Sequence, residues 1–285
     1  MISIVGIVVV LGAVLTGFTM AGGHVGALIH PSELVTIGGA ALGALIVMSP
    51  KRVLVDLIRG VLLAIKGSPY TRECCNELLG LLFQLARMAR RDGLLALEKH
   101  VSDPANSEVF RQFSRVSGNH HLTEFVCRAL GRAAEGSIEA GQLEKELEEE
   151  IAVMEREHHQ AVSALIRVAD SLPGFGIVAA VLGIVITMQA IDGPVEEIGH
   201  KVGAALVGTF LGILLSYGLV APLAAKLELL GEQEIAVLRS VAGAAAELVR
   251  ESGPRDVVNR ALRGLPSDCR PGHDQLRELL ASGGS

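Results

Sequence analysis

The sequence predicts an all-α, polytopic membrane protein: four transmembrane helices and a mostly helical cytoplasmic domain. Three observations carry that reading. Four long apolar stretches have no charged residue in their middles, Lys and Arg are distributed lopsidedly, and the charged regions between show helical periodicity with no strand alternation. A hydrocarbon core about 30 Å thick needs about 20 apolar residues of helix. Residues 2–21, 34–49, 172–191 and 202–225 meet that need, the second being short. A charged side chain inside a span would mark an ion relay. These four supply none, so in an ion carrier the carboxylate must come from another chain.

Residues 1–50 and 171–200 contain no Lys or Arg, and 24 of the 25 lie in 51–170 and 226–285. By the positive-inside rule the short connections near 22–33 and 192–200 face outward, and both termini and both large charged regions face the cytoplasm. The expected domains are 1–50, spans one and two; 51–170, a cytoplasmic helical domain; 171–225, spans three and four; and 226–285, a cytoplasmic extension and tail. The first span lacks a basic leading segment and a small-residue cleavage site, so it reads as retained, not as a signal peptide.

After span two, residues 51–67 place Val53, Leu54, Leu57, Ile58, Val61, Leu62 and Ile65 on one helical face, with Lys51, Arg52, Arg59 and Lys66 at its margin. A basic amphipathic helix of this kind either lies on the inner membrane surface or packs against the cytoplasmic domain. Ser68-Pro69 ends it. Thr71 caps the next helix, which runs through Leu78, Leu82 and Leu85 to Arg91 and stops at Asp92-Gly93. Another begins in 94–101, Gly118 breaks the pattern, and a short helix covers 122–134. From Gln142, a stripe of Leu143, Leu147, Ile151, Met154, His158, Ala161, Leu165 and Val168 recurs at spacings of three and four and reaches span three. One continuous rod is expected there, and a second from span four to Val249, ended by Gly253-Pro254. Residues 255–285 read as loosely structured.

Cys74, Cys75, Cys127 and Cys269 all fall in the charged regions and read as reduced structural thiols. Adjacent Cys74 and Cys75 fit neither C-x-x-C nor a zinc spacing. The pairs His120-His121 and His158-His159 point to different sides of a helix. No phosphate-binding loop, dinucleotide fingerprint or H-E-x-x-H pattern is present. The expectation is a protein that is no enzyme, takes no cofactor or metal, and binds no nucleic acid.

Within the spans, Gly39 and Gly43, and Gly208 and Gly212, stand four residues apart and allow helix backbones to approach closely in lipid. That serves packing within the chain or against copies and partners. Thr209 lies deep in span four. Its hydroxyl either bonds back to its own helix or faces an ion path. Thr187 lies nearer the outer edge and Tyr217 nearer the inner. Pro173 and Pro222 sit at the cytoplasmic ends of spans three and four, and Pro222 interrupts a pattern that continues to Leu230, so the helix there kinks or hinges.

Several strings are long enough to be specific. Asp-Ser-Leu-Pro-Gly-Phe-Gly-Ile-Val-Ala-Ala-Val-Leu-Gly at 170–183 and Val-Gly-Thr-Phe-Leu-Gly-Ile-Leu-Leu-Ser-Tyr-Gly at 207–218, followed by Pro222-Leu223-Ala224, closely resemble the MotA family, the A subunits of bacterial flagellar stators. Ala21-Gly22-Gly23, Pro31-Ser-Glu-Leu-Val and the segment Arg90–Glu98 look like the same family, while the tail matches weakly around Arg270-Pro271. The resemblance implies a multi-pass protein of the bacterial inner membrane, both termini cytoplasmic. It implies five A subunits around two B subunits, whose aspartate takes up the ion and whose outer domain grips peptidoglycan. It carries the rotor-facing charges, which meet a switch-complex protein, onto Arg90 and Glu98. It carries the transmission prolines onto Pro173 and Pro222, and the ion path onto Thr209, Ala180 and Tyr217. Sodium-type relatives have a second threonine where this chain has Ala180, which points to protons. Membrane lipid is the remaining partner. The competing readings are an energiser of outer-membrane processes resembling ExbB or TolQ, which would have three spans, and a purely structural membrane scaffold.

Overall fold

A computed structural model describes residues 2–189 and 191–281, and the described residues form helices without strands. α1 (Ile2–Met20) is followed by a 3-10 turn at Val25–Leu28 and by α2 (Pro31–Met48). Pro31 opens α2, where its missing N–H would have been unpaired in any case. α3 (Lys51–Lys66) starts after only Ser49 and Pro50. α4 (Arg72–Asp92) is capped as expected by Thr71, whose hydroxyl accepts the Cys74 N–H at 3.3 Å, and it ends at Gly93 with φ of 86°. A 3-10 turn at Leu94–Leu97 and three short helices, α5 (Glu98–Val101), α6 (Glu108–Arg111) and α7 (Ser114–Ser117), lead to α8 (His120–Ala134). α9 (Ala140–Met188) is one continuous helix of 49 residues with Pro173 inside it. α10 (Val195–Ile213) passes through a π-helical segment, Leu214–Val220, into α11 (Ala221–Val249). α12 (Pro254–Gly264) and α13 (His273–Ala281) close the chain. Both expected rods are present. Four helical stretches are long and apolar enough to cross a membrane: Ser3–Met20, Val25–Met48, and parts of Ala140–Met188 and Val195–Val249.

The expected looseness of 255–285 is wrong for most of that segment. Val257, Val258, Ala261, Leu265 and Cys269 are all buried, and Leu276, Leu279 and Leu280 pack against the same core. α12 has one narrow apolar side and α13 is only nine residues long, so composition alone hid two helices that tertiary packing supports.

The chain forms two compact units, Met1–Gly67 with Glu157–Leu229 and Ser68–Arg156 with Leu230–Ser285. The second unit is built like a water-soluble domain. Leu78, Leu79, Leu82 and Leu85 of α4 pack with Phe125 and Leu130 of α8, with Leu143 and Ile151 of α9, and with α11 and α12. Each fully buried Leu of this kind contributes about 1.5–3 kcal/mol. Its charges lie outside, as in the pairs of Arg239 with Glu148 and Glu155.

The first unit reverses this arrangement. Val5, Val8, Ile46, Val47 and Leu206 are exposed, whereas Gly208, Gly212, Ala179 and Ala205 are buried. An apolar exterior over a small-residue interior suits a lipid solvent, in which helices associate through close contact and not through hydrophobic burial. α3 belongs to this unit. Its Val53 and Leu57 pack against Ala161 and Leu165 of α9 and against Ala224 and Leu227 of α11.

Candidate functional site

The tightest approach in the first unit is between α9 and α10, and glycine makes it possible. A Cβ on Gly176 would stand 2.9 Å from Gly208 O and 3.3 Å from Thr209 Cα, and one on Gly212 would stand 2.7 Å from Leu172 O. The obstructing atoms are backbone, so nothing can swing aside. Gly208 faces the Ala180 amide across the same seam. Thr209 thus meets the seam beside Gly176, and Ala180 meets it through its backbone beside Gly208. Gly208 and Gly212 serve packing within the chain, whereas Gly39 and Gly43 of α2 have open space.

The Thr209 side chain is half-buried, and no described residue hydrogen-bonds its hydroxyl. Thr187 behaves differently. Its hydroxyl donates to Gly183 O of its own helix at 2.8 Å. Of the two readings available for a mid-helix threonine, Thr187 adopts the self-bonded one and Thr209 does not. Tyr217 is 66% exposed in the π segment and is not gathered with Thr209 and Ala180.

Both prolines break a hydrogen bond, and one residue, Ser216, connects the consequences. Pro173 has no N–H to give Ala169 O, the acceptor one turn earlier. The Ser216 hydroxyl, fully buried, donates to that carbonyl at 2.6 Å. The Ser216 carbonyl in turn accepts the N–H of Ala221, five residues on, which is the π-helical pattern immediately before Pro222. The break at Pro222 is therefore a widened turn, and that turn carries the side chain that repairs the break at Pro173.

Sequence reasoning also missed Glu33. It lies in the first turn of α2, where an acid is ordinary, yet it is only 8% exposed. Its Oε2 has no hydrogen-bond partner, and a Cβ on Gly208 would stand 2.8 Å from that atom. The span middles are uncharged as expected. The small-residue interior nevertheless holds one carboxylate beside the residue preceding Thr209. No spacing in the sequence pairs residue 33 with 208, or 169 with 216, so neither contact had a local signal.

The second unit holds the two predicted surface charges. Arg90 is exposed in the last turn of α4, and Glu98 is exposed at the start of α5, just past the Gly93 corner. Neither forms an ion pair with a described residue. Arg91 is tied to Asp92 at 2.7 Å, an interaction that holds the Asp92 carboxyl below its ordinary range. Of the three arginines near the corner, Arg87 and Arg90 are the ones left unpaired by described acids.

Four apolar spans, two of them joined through a glycine seam, place the chain in a recognisable class of multi-pass membrane proteins. Residues 117–240 match the MotA/TolQ/ExbB proton channel family, and residues 4–93 match the N-terminal family of motility protein A. Motility protein A of Salmonella typhimurium is 35% identical over 98% of this chain and 94% of its own length. Chemotaxis protein LafT of Vibrio parahaemolyticus is 36% identical over 97% of each. The chain belongs to the motility protein A family. Its fold is that of the flagellar MotAB stator complex chain from Bacillus subtilis, with a TM-score of 0.75 at 24% identity over 96% of this chain and 97% of that one. The C. jejuni MotAB structure gives 0.77 at 23% over 93% and 96%.

Proposed function

We propose that this protein is the A subunit of a proton-driven flagellar stator: with a B-subunit partner it conducts protons across the inner membrane and turns the flow into torque on the rotor. The observation that carries the ion assignment is the half-buried Thr209 hydroxyl, which no described residue hydrogen-bonds, on a helix whose facing partner has alanine at position 180 and so brings no second hydroxyl there. A sodium ion must be stripped of water and recaged by several oxygens. A proton needs one acceptor and a hydrogen-bonded water beside it. The chain supplies the hydroxyl, and the partner's aspartate supplies the proton-binding group. The A subunits form a ring around two B chains, five by the family pattern. The short loops face outward and the second unit faces the cytoplasm.

Protonation of the partner's aspartate relaxes the packing along the α9–α10 seam, and the linked turns at Pro173 and Pro222 pass that change toward the cytoplasm. Arg90 and Glu98 present unpaired charge to the rotor's switch-complex protein. Exposed pairs are individually worth about 0–1 kcal/mol, but opposed patches steer docking through their summed field.

The test is swimming of a deletion strain complemented with this chain and its B partner. Rotation should persist in sodium-free medium and track proton-motive force. Thr209→Val should slow or stop it, and Arg90→Glu with Glu98→Lys should abolish it, with the protein still reaching the membrane in both cases. Rotation that requires sodium would overturn the proton assignment. Unimpaired swimming of the double reversal would reduce Arg90 and Glu98 to a solvated face.

A further inference from the structure

α3 uses two opposite faces, and only one is occupied. Val53, Leu57 and Ala64 are buried within the first unit. On the other side Lys51, Arg52, Val55, Ile58, Arg59, Leu62 and Lys66 recur at spacings of three and four, and all are exposed. Val55 is 45%, Ile58 61% and Leu62 52% exposed. The outward face is thus an apolar stripe set among four basic side chains, with one acid, Asp56, at its edge beside Arg52. Arg52 is engaged by Asp56 and Glu157. Lys51, Arg59 and Lys66 have no ion-pair partner among the described residues.

We propose that this outward face is a binding site for anionic phospholipids of the inner leaflet. α3 begins two residues after α2 ends, so the chain has no length in which to leave the membrane surface before the face starts. A helix lying in the interface sinks apolar side chains into the acyl boundary while Lys and Arg reach the phosphates. Val55, Ile58 and Leu62 supply the first, and Lys51, Arg59 and Lys66 the second, spread over about 22 Å of helix. A second copy of the same face would set Lys51, Arg59 and Lys66 against one another, which disfavours a contact of this face with itself. The site makes torque sensitive to lipid charge. α3 packs on Ala161 and Leu165 of α9, before Pro173, and on Ala224 and Leu227 of α11, after Pro222, so what holds α3 also steadies those helices. The inference rests on the reading of α1 and α2 as membrane spans.

The chain has no tryptophan, so a single one reports on its own surroundings. The full chain carrying Ile58→Trp is purified with its B subunit, and the signal is taken as the difference from the unsubstituted complex. The complex is placed in nanodiscs holding, at equal mole fraction, either phosphatidylglycerol or phosphatidylcholine brominated near the glycerol. A companion complex carries Val8→Trp, on the exposed surface of α1. The indole on α3 should be quenched severalfold more by the anionic lipid, since one basic side chain at the surface favours it by about fivefold. The excess should vanish in Lys51→Gln, Arg59→Gln, Lys66→Gln and shrink in high salt. Equal quenching by both lipids, or an excess that survives the triple change, overturns the site. Quenching of the α1 indole with none on α3 overturns the site and leaves the spans intact, as an acidic protein partner on this face would also produce. If neither indole is quenched, the reading of the spans fails and the site fails with it.

Discussion

The two units of this chain solve the same packing problem with opposite materials. In the unit built from α4, α8, α12 and the water-facing parts of α9 and α11, order comes from large side chains enclosed together, such as Leu78, Leu82 and Phe125. In the unit built around the α9–α10 seam, order comes from side chains that are missing, at Gly176, Gly208 and Gly212. The difference follows from the solvent. Water expels a leucine into a core, whereas lipid does not, so helices in lipid gain by bringing backbones together. One interior should fail when it loses volume, and the other when it gains it.

The sharpest way to break this contrast is Gly212→Val. The added branch meets Leu172 O and Gly176 Cα, both backbone, so the seam must open. The stator should fail to assemble in the membrane, with complex recovered by pull-down on the B subunit near background. Near-normal recovery would mean the seam is looser than its geometry. The mirror experiment is Leu82→Ala in the other unit, which should cost about 2–5 kcal/mol by leaving a cavity. The loss would register as earlier thermal unfolding and faster proteolysis of residues 68–156.

Next in size is the link between the prolines. Ser216→Ala leaves Ala169 O without its donor and should destabilise the detergent-purified protein by about 0.5–2 kcal/mol. In a Pro173→Ala background α9 regains the N–H that Ala169 O lacks, so the same Ser216 change should cost little. A double-mutant cycle that comes out additive would show that Ser216 does not repair the break at Pro173. In a separate Pro222→Ala variant, torque should fall further than assembly does.

A pH effect separates the units without mutation, because all four thiols lie in the second one. Burial pushes Cys74 and Cys127 up from 9.0 to about 11 and raises Cys75 and Cys269 as well. The unfolded chain ionises near the ordinary thiol value while the folded chain holds its protons. Stability is therefore fully present below that value and is lost as pH rises from about 9 toward 11. Melting of the second unit should drop across this window, and Cys74→Ala with Cys75→Ala should flatten the slope. An unchanged slope would assign the alkaline loss to other groups.

The smallest effect is expected at Glu33, the carboxylate beside the glycine seam. Glu33→Gln keeps the shape and removes the ionisable group, so assembly should be unchanged and swimming should fall less than in Thr209→Val. A collapse of assembly would show that the carboxylate has a partner in the complex.

Period and composition by themselves determined the class, the four apolar spans, the two long rods, the Thr71 cap and the Gly93 corner. Each is a local property: an uncharged run long enough for a bilayer, an apolar stripe at helical spacing, a side chain three residues from the amide it caps. The strings around Pro173, Thr209 and Pro222 were equally legible, because family motifs are contiguous. The tertiary structure alone decided which partners those residues have. It set Ser216 on Ala169 O across 47 residues of chain, buried Glu33 against Gly208, and left Thr209 with no hydrogen bond from a described residue where Thr187 is bonded. It also supported α12 and α13, too short and too polar to declare themselves, and turned α3 so that Val55, Ile58 and Leu62 face out among its four basic side chains. The physical reason is the same in each case. A side chain's propensity is written in its neighbours along the chain, whereas the acceptor it satisfies, or the backbone it obstructs, comes from a helix the sequence does not place beside it.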